Sequence, residues 1–383
     1  MEKAKKQYFI QNTAGVSFAE FFWGLGFPVL IESTFLQIFL KDLGASSFLI
    51  GLVPAILMAG ISLFPLVSSY AVRNRASQKH LVLGLHLVSS GAVITFGLFL
   101  LFTRNPSLVL PAFFISYTLF SACLGLTFPV WLNFLVKIFP KNKRVKGLSL
   151  MYLSQNLAKI LAAALLVKSV KTFSLSPGSA AWIFLGSGTA FFIGSMGFIF
   201  TRELPEKKES PAGERGFFRH TKKIVLDISG NKNLVRYLIG DLDNVIVITA
   251  MAFYANYAVQ YFNTPVHTAA GLFVCFIYAG SILANLVLGT MDVLTMKNKF
   301  ISTKIACMAL LVLLVFYPGL PAFLAASLLM GFCRGTRSII YSPMVKLLSG
   351  KDDATAYFAA IPLMTIVFSS GFPLALRRLM DAM

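Results

Sequence analysis

Long apolar segments alternate with short polar ones along the chain, and one hydrophilic stretch interrupts this pattern near the middle. The stretch, residues 202–236 (RELPEKKESPAGERGFFRHTKKIVLDISGNKNLVR), is rich in charged residues and in Pro, Gly and Ser. The apolar runs on either side have the length that a helix needs to cross a bilayer, about 20 residues. The pattern therefore predicts two groups of membrane-spanning helices joined by a polar linker over residues 202–235.

Hydropathy in windows of about 19 residues predicts six spans before the linker and five after it. The spans lie near residues 14–40, 47–71, 81–102, 108–138, 147–169, 180–201, 236–262, 267–291, 301–319, 321–348 and 354–376. Each should be a helix, because lipid cannot satisfy backbone polar groups and the sequence lacks the alternation of a membrane barrel. We therefore expect an all-α integral membrane protein with an amino-terminal bundle over residues 1–201 and a carboxy-terminal bundle over residues 236–383.

The composition supports a membrane protein. Of the 383 residues, 57% are hydrophobic and 13% are charged, which is more apolar surface than one soluble core could hide. The net charge of +19 would suit a nucleic-acid partner, but the Lys and Arg residues lie in short loops between apolar runs. We therefore expect the lipid bilayer, and no nucleic acid, as the partner of this chain.

The distribution of Lys and Arg predicts the orientation in the membrane. With alternating spans, 25 of the 34 basic residues lie on the side of the amino terminus and the linker, and six lie on the other side. Cytoplasmic loops carry such an excess of Lys and Arg. We therefore expect a multi-pass protein of the cell (inner) membrane, with the amino terminus and the linker in the cytoplasm.

The two halves of the sequence resemble each other in two places. Residues 50–61 match residues 270–281, and residues 111–126 match residues 321–336 in the same order. The identical pairs are Gly51/Gly271, Leu52/Leu272, Ala59/Ala279, Gly60/Gly280, Pro111/Pro321, Ala112/Ala322, Phe113/Phe323, Cys123/Cys333 and Gly125/Gly335. Together the matches indicate a duplicated unit of six helices.

Two such repeats joined by a basic linker resemble the major facilitator superfamily, and the resemblance covers essentially the whole chain. It implies two bundles with a cavity between them that opens alternately to each side of the membrane. The loop after span two has Arg73, Arg75 and Lys79 of the family motif without its Gly and Asp, whereas the loop after span eight has Gly289 and Asp292 at imperfect spacing.

The family pattern includes a twelfth span, which this sequence does not supply after residues 354–376. A chain that naturally ends early, a truncated form and a partner covering the position of the twelfth helix all explain the difference. The sequence leaves these three explanations open.

Charged residues inside the predicted spans indicate where function lies. A charge facing lipid at mid-helix costs about 2.5–3.5 kcal/mol, so such side chains should face the interior of the bundle. Glu20 lies about two turns into span one, and Asp241 lies at a similar depth in span seven. Both are candidates for proton binding. The alternatives are an internal salt bridge for Glu20 and a favourable position near a helix start for Asp241.

Two arginines in span ten form the sharpest polar feature. Arg334 and Arg337 share a helical stripe with Tyr341. Since guanidinium groups bind carboxylate and phosphate in a bidentate manner, the stripe predicts a site for an anionic substrate group. The alternative is that the arginines neutralise Glu20 and Asp241.

Two further polar residues complete the candidate site. Lys159 in span five is a third cation, either a substrate ligand or a partner of Glu20. Asn133 in span four is a cavity-lining candidate, because the resemblance implies that this span borders the cavity. Polar side chains in spans also commonly hydrogen-bond between helices.

No enzyme or cofactor motif is recognisable in the sequence. The four cysteines lie singly in apolar segments, the four histidines form no metal-ligand pair, and no phosphate-binding loop of an ATPase is present. We therefore expect neither enzymatic activity nor a cofactor or metal.

These features favour a secondary transporter that moves a small solute, for which we favour an anion, by alternating access. The alternative is a carrier-derived membrane protein that no longer transports and acts as a sensor or scaffold, as the short second half and the incomplete loop motif suggest. A lipid flippase is a third hypothesis, and it would need a laterally open cavity. The sequence does not identify the substrate, the direction of transport or the coupling ion.

Overall fold

The computed structural model describes residues 2–31, 34–72, 75–103, 105–172, 177–205, 216–262 and 266–382. Residues 206–215 of the predicted linker lie outside the described residues. Within the described part of the chain the structure is helical, without β-strands. The α-helices are α1 (Glu2–Gln7), α2 (Phe9–Leu30), α3 (Thr34–Asp42), α4 (Ser47–Val72), α5 (Lys79–Phe102), α6 (Pro106–Ile138), α7 (Arg144–Thr172), α8 (Pro177–Met196), α9 (Phe217–Gly230), α10 (Lys232–Gly240), α11 (Asp243–Phe262), α12 (Val266–Ala284), α13 (Met296–Phe316), α14 (Leu320–Ser349) and α15 (Thr355–Ala382).

The long helices coincide with the predicted spans. Each of the eleven predicted spans overlaps a helix of 19 residues or more. Among the described residues, nine segments are long and apolar enough to cross a membrane, and they involve α2, α4 to α8 and α12 to α14. In α15 the apolar part is shorter, Thr355–Phe368. The all-helical membrane fold expected from hydropathy is therefore confirmed.

The seventh predicted span, 236–262, is not one continuous helix, so this detail of the prediction was wrong. The helix α10 ends at Gly240, and α11 begins at Asp243. Glycine has low helix propensity, and an acidic side chain is stabilised at the start of a helix by the helix dipole. The local sequence thus favours a break that hydropathy does not detect, and the break leaves Asp241 between two helix ends.

The repeat seen in the sequence appears in the structure as two equivalent helix crossings. In the first half α4 packs against α6, and in the second half α12 packs against α14. Gly60 and Gly125 lie at the first crossing, and their repeat partners Gly280 and Gly335 lie at the second. A β-carbon at any of these four positions would overlap backbone atoms of the facing helix. Small residues allow such close approach of helices in membranes.

The two halves share apolar cores at only one end of the bundle within the described residues. We call this end the linker face, because α9 and residues 202–205 lie there. One shared core packs Phe134 and Met151 of the first half against Ile339, and the other packs Leu132 against Val345. Toward the opposite end, the two remaining cores are each built within one half. The halves are therefore joined tightly at the linker face.

The start of the linker is fastened to the first half by hydrogen bonds. Glu203 Oε2 accepts from Ser77 Oγ (2.7 Å) and from the backbone N–H groups of Gln78 (2.8 Å) and Lys79 (2.8 Å). A carboxylate suits this place because the first N–H groups of α5 have no partner inside the helix. Lys79 Nζ in turn donates to the Thr201 carbonyl oxygen (2.8 Å).

The described end of the linker contains a helix that contacts both halves. Phe217 of α9 lies edge-on to Tyr70 of α4, with ring centroids 5.8 Å apart. Ile228 is fully buried in the core shared with the second half. Asn231, directly after α9, donates through Nδ2 to the Leu348 carbonyl oxygen of α14 (2.8 Å). The helix α9 therefore bridges the two halves at the linker face.

The glycine crossings lead to a stability prediction. Gly280→Ala and, independently, Gly125→Ala should lower the free energy of unfolding by about 1–3 kcal/mol, because overpacking forces the helices apart. Thermal unfolding of the purified protein in detergent measures the effect as a fall in Tm. The control is Gly91→Ala within α5, where a β-carbon would meet no atom within 4 Å. An equal Tm in all four proteins would contradict the close crossings.

Candidate functional site

A polar cavity lies between the halves, bordered by α7 of the first half and by α12 and α14 of the second. Its volume is about 60 Å³, which suits a few water molecules. We call it the central cavity. The side chains that line it are Tyr152, Gln155, Asn156, Lys159, Ile277, Tyr278, Ser281, Arg334 and Ser338.

The helix α7 supplies the first-half wall through four side chains on one helical face. Tyr152, Gln155, Asn156 and Lys159 follow the spacing i, i+3, i+4 and i+7. This face is turned toward the second half, because Asn156 Nδ2 donates a hydrogen bond to Ser281 Oγ of α12 (2.9 Å). The polar stripe of α7 therefore forms one side of the interface between the halves.

Glu20 lies behind this stripe on α2 and is buried, with 4% of its surface exposed. Gln155 Nε2 donates a hydrogen bond to Glu20 Oε2. One turn further along α2, a β-carbon at Gly24 would press against the Gln155 carbonyl oxygen, so the glycine allows α2 to approach α7 closely. Through Gln155 the Glu20 carboxylate is connected to a residue that lines the central cavity.

Lys159 is buried and lies near two aromatic rings and a carboxylate. Its Nζ lies 4.9 Å from the centre of the Phe27 ring and 5.9 Å from that of Tyr278. Cations are attracted to the faces of aromatic rings at such distances. Lys159 is also close enough to Glu20 for an electrostatic interaction. The side chain thus lies at the wall of the cavity without facing lipid.

Arg334 brings a second cation to the central cavity from the other half. Its Nη1 contacts Met251 Sδ at 3.9 Å, and it lines the cavity together with Ser338, one turn further along α14. Ser338 Oγ donates to the Arg334 carbonyl oxygen (2.9 Å), which satisfies the hydroxyl within the helix. Lys159 and Arg334 therefore reach one cavity from opposite halves.

Arg337 belongs to a different cluster, although it follows Arg334 by one turn. Its Nε donates to Asp241 Oδ1 (3.1 Å) and Oδ2 (2.9 Å), and its Nη2 donates to Oδ2 (2.8 Å). The Arg337 Cζ lies 4.4 Å from the centre of the Tyr341 ring. A two-pronged arginine–carboxylate contact of this kind is both strong and specific in geometry. The cluster joins α14 to the break between α10 and α11.

Asn133 lies at the linker face and is not among the residues that line the central cavity. Its Nδ2 donates to Gln78 Oε1 (3.0 Å) and to Asp353 Oδ1 (3.0 Å), and its Oδ1 accepts from the Ala354 N–H (3.0 Å). Gln78 in turn donates to Thr355 Oγ1 (2.9 Å). Asn133 therefore connects α6 of the first half to the segment that begins α15 in the second.

The seven candidate residues thus lie in three places. Lys159 and Arg334 lie at the central cavity, with Glu20 one contact behind it. Arg337, Asp241 and Tyr341 form a separate cluster, and Asn133 lies at the linker face. Sequence reasoning missed Tyr152 of α7 and Ile277, Tyr278 and Ser281 of α12, which also line the cavity. The helical spacing of the polar positions 152, 155, 156 and 159 is a signal that could have found the first of them.

A family model described as Major Facilitator Superfamily matches residues 15–375. The chain belongs to this superfamily. It is accordingly a multi-pass membrane protein with the fold of a secondary transporter, and the resemblance found in the sequence is confirmed. Among curated proteins, none matches the sequence.

Solved structures of superfamily members share the fold at low sequence identity. FucP, a superfamily transporter in the outward conformation, has a TM-score of 0.77 at 15% identity, over 98% of this chain and 93% of that chain. The proton:xylose symporter XylE gives 0.65 at 14% identity, over 98% and 90%. The human organic anion transporter MFSD10 gives 0.61 at 14% identity, over 95% and 94%. These similarities show a common fold.

The pairing of Arg337 with Asp241 leads to a second prediction. Asp241→Asn or Arg337→Gln alone should lower the free energy of unfolding by roughly 2 kcal/mol, because each leaves a charge without its bidentate partner. In the double variant part of the loss should be recovered, because neither charge remains. Thermal unfolding in detergent measures these differences.

The matched control for this prediction is an exposed ion pair. Lys351 Nζ lies 3.9 Å from Asp227 Oδ2, and both side chains are about half exposed. Lys351→Gln should therefore change the free energy of unfolding by less than about 1 kcal/mol. Single variants of Asp241 and Arg337 with the parent Tm would show that the pair does not stabilise this conformation.

Proposed function

We propose that the protein is a secondary transporter for a small organic anion, which binds in the central cavity between Lys159 and Arg334. The observation that carries the proposal is the convergence of these two cations, one from each half, on a single polar cavity. An anion there would contact both halves at once. Its carboxylate or phosphate group would accept charge-assisted hydrogen bonds in a site of low dielectric.

The distribution of the acids supports an anion rather than a cation. Asp241 already binds Arg337. Asp243 forms an ion pair with Lys304, with Oδ1 and Nζ 2.6 Å apart. Glu20 is the acid connected to the central cavity, and it accepts a hydrogen bond from Gln155. Among the described residues that line the central cavity, two are cations and none is an acid, and Glu20 lies one contact behind it.

The similar structures include transporters of different solutes, so their names alone do not select one for this chain. FucP and XylE are described as proton symporters for fucose and xylose, and MFSD10 as an organic anion transporter. The hydroxyl and amide groups of the central cavity would also suit a sugar. The choice of an anion rests on Lys159 and Arg334.

Alternating access is supported by the uneven contacts between the halves. Both shared apolar cores and the Asn133 contacts lie at the linker face. The structure is therefore consistent with a state closed at this face. The excess of Lys and Arg on the same side favours a cytoplasmic location for it, so the proposed state is closed to the cytoplasm. Opening would require the halves to separate at the linker face.

Glu20 is the proposed site of proton coupling. It is buried and connected through Gln155 to the central cavity, and Lys159 lies within electrostatic range. Protonation of Glu20 would remove the acid that competes with a bound anion for Lys159. Proton and anion binding would then favour each other, as a symporter requires.

The proposal predicts a charge-specific loss of binding. Arg334→Gln should weaken the binding of the transported anion by about 10- to 100-fold, the equivalent of one or two charge-assisted hydrogen bonds. Arg334→Lys should retain part of the affinity, because it keeps the charge and loses the fork. A thermal-shift screen of organic anions, sugars and cations would identify the ligand, and uptake into proteoliposomes would test its transport.

Ser338→Ala is the matched control, because it removes a polar group of the same cavity without removing a charge. Anion binding that survives Arg334→Gln unchanged would contradict the proposed site. Binding of an anion without uptake under any gradient would instead favour a sensor derived from a carrier.

The closed linker face leads to a further prediction. Asn133→Ala removes hydrogen bonds that join the halves, each worth about 1 kcal/mol, and should shift the population toward opening at this face. A cysteine introduced at Ser338, in a background with the four native cysteines replaced by alanine, should then react several-fold faster with an impermeant thiol reagent added from the linker side.

Asn105 provides the matched control for Asn133 on the same helix. It caps the opposite end of α6, where its side chain accepts from the Ser107 N–H (3.0 Å). Asn105→Ala should leave labelling from the linker side unchanged. Equal labelling in the Asn133 variant and the control would show that Asn133 does not hold the linker face closed.

A further inference from the structure

The outer surface of α9 combines cations with large exposed apolar side chains. Arg219, Lys222 and Lys223 are exposed, and Phe218 and Leu226 are 85% and 61% exposed. Positions 218, 222 and 226 succeed one another at four-residue spacing, so one stripe of the helix carries an aromatic, a cationic and an aliphatic side chain. Apolar side chains interleaved with Lys and Arg on a helix surface are typical of helices that lie in a membrane interface.

The same kind of surface continues on α10. Lys232 and Arg236 are exposed, and Ile239 is 63% exposed. Only residues 241 and 242 separate α10 from α11, which lies within a predicted span. The cations and exposed apolar groups of both helices are therefore close to the membrane boundary at the linker face.

The inner surface of α9 fixes which side of the helix faces outward. Ile224 and Ile228 are buried in the core shared by the two halves, together with Phe358 of α15. Since α9 is anchored by these side chains, it cannot turn Phe218 or Leu226 inward without leaving the core. Their exposure is thus a consequence of how the helix is docked.

The charge of this surface is strongly positive. Asp227 is the one acid within α9 and α10, against five Lys and Arg residues. It is partly engaged inside the fold, because Tyr357 Oη donates to Asp227 Oδ2 (3.4 Å) and Lys351 Nζ lies 3.9 Å from the same oxygen. The outer surface therefore offers cations and apolar groups, and its one acid is half exposed and contacts Tyr357 of α15 and Lys351.

We propose that the outer surface of α9 and α10 binds anionic phospholipid headgroups of the leaflet at the linker face. Arg219 and Lys222 contact the headgroups, and Phe218 and Leu226 insert beside the acyl chains. Each Lys or Arg near an anionic bilayer surface increases binding by about fivefold. This lipid site is separate from the central cavity and does not depend on the identity of the transported solute.

The first test compares lipids on the full-length purified protein. Native mass spectrometry in detergent, with phosphatidylglycerol and phosphatidylcholine in competition, should show preferential retention of phosphatidylglycerol by the parent. Arg219→Gln/Lys222→Gln should reduce this preference by up to about 25-fold, the product of two cationic contacts. Added salt should weaken the preference in the parent, because exposed charges are screened.

The matched control is Lys141→Gln/Lys297→Gln, which removes the same charge from exposed positions outside α9 and α10. It should retain the preference for phosphatidylglycerol. Phe218→Ser should weaken retention of phosphatidylglycerol without changing Tm in lipid-free detergent, because its side chain is 85% exposed. This variant separates insertion from simple charge attraction.

Three results would overturn the proposal. The first is a parent that shows no preference for phosphatidylglycerol over phosphatidylcholine. The second is a preference that survives Arg219→Gln/Lys222→Gln or falls equally in the control. The third is stabilisation by inorganic phosphate or glycerol phosphate equal to that by the lipid, which would indicate a site for a soluble anion.

Discussion

A charge that enters the bilayer must be compensated within the protein, and this constraint organises the interior of the molecule. Arg337 meets it through two-pronged contact with Asp241. Lys159 lies near two aromatic rings and within electrostatic range of Glu20. In each case the partners lie on different helices. The compensation of charge therefore also determines which helices stay together: α14 is tied to the break between α10 and α11, and α7 is tied to α2.

Small residues allow helices within each half to pack closely against each other. Gly60 and Gly125 bring α4 against α6, and Gly280 and Gly335 repeat this crossing in the second half. Each half is thereby packed internally at close range, whereas among the described residues the halves share apolar cores only at the linker face. When two closely packed units share their apolar cores at one end, motion between the units disturbs few contacts inside each unit. This is the mechanical property that alternating access requires.

The sequence predicts the features that depend on hydropathy and spacing, and it fails where partners come from elsewhere in the chain. The spans follow from apolar length, and the crossing glycines are visible as repeat identities. Arg334 and Arg337 lie one turn apart on α14. Arg334 nevertheless lines the central cavity whereas Arg337 binds Asp241, because each arginine faces a different neighbour. Nothing in the neighbouring sequence distinguishes the two arginines. The helix α9 was overlooked for another reason: its charge resembles a loop, although Ile224 and Ile228 already show helical spacing.

The placement of Lys159 and Arg334 on different halves gives anion binding a mechanical consequence in the proposed mechanism. An anion held by both cations lowers the energy of arrangements in which α7 and α14 are close, and it loses one contact if they separate. Between the two cations the anion replaces mutual repulsion with attraction to each, so its binding favours approach of the halves around the central cavity. The linker face, where Asn133 meets Asp353 and Ala354, must then open against hydrogen bonds and apolar packing rather than against charge. In this proposal binding and opening are controlled by different groups, because Lys159 and Arg334 hold the anion and the contacts of Asn133 hold the linker face closed.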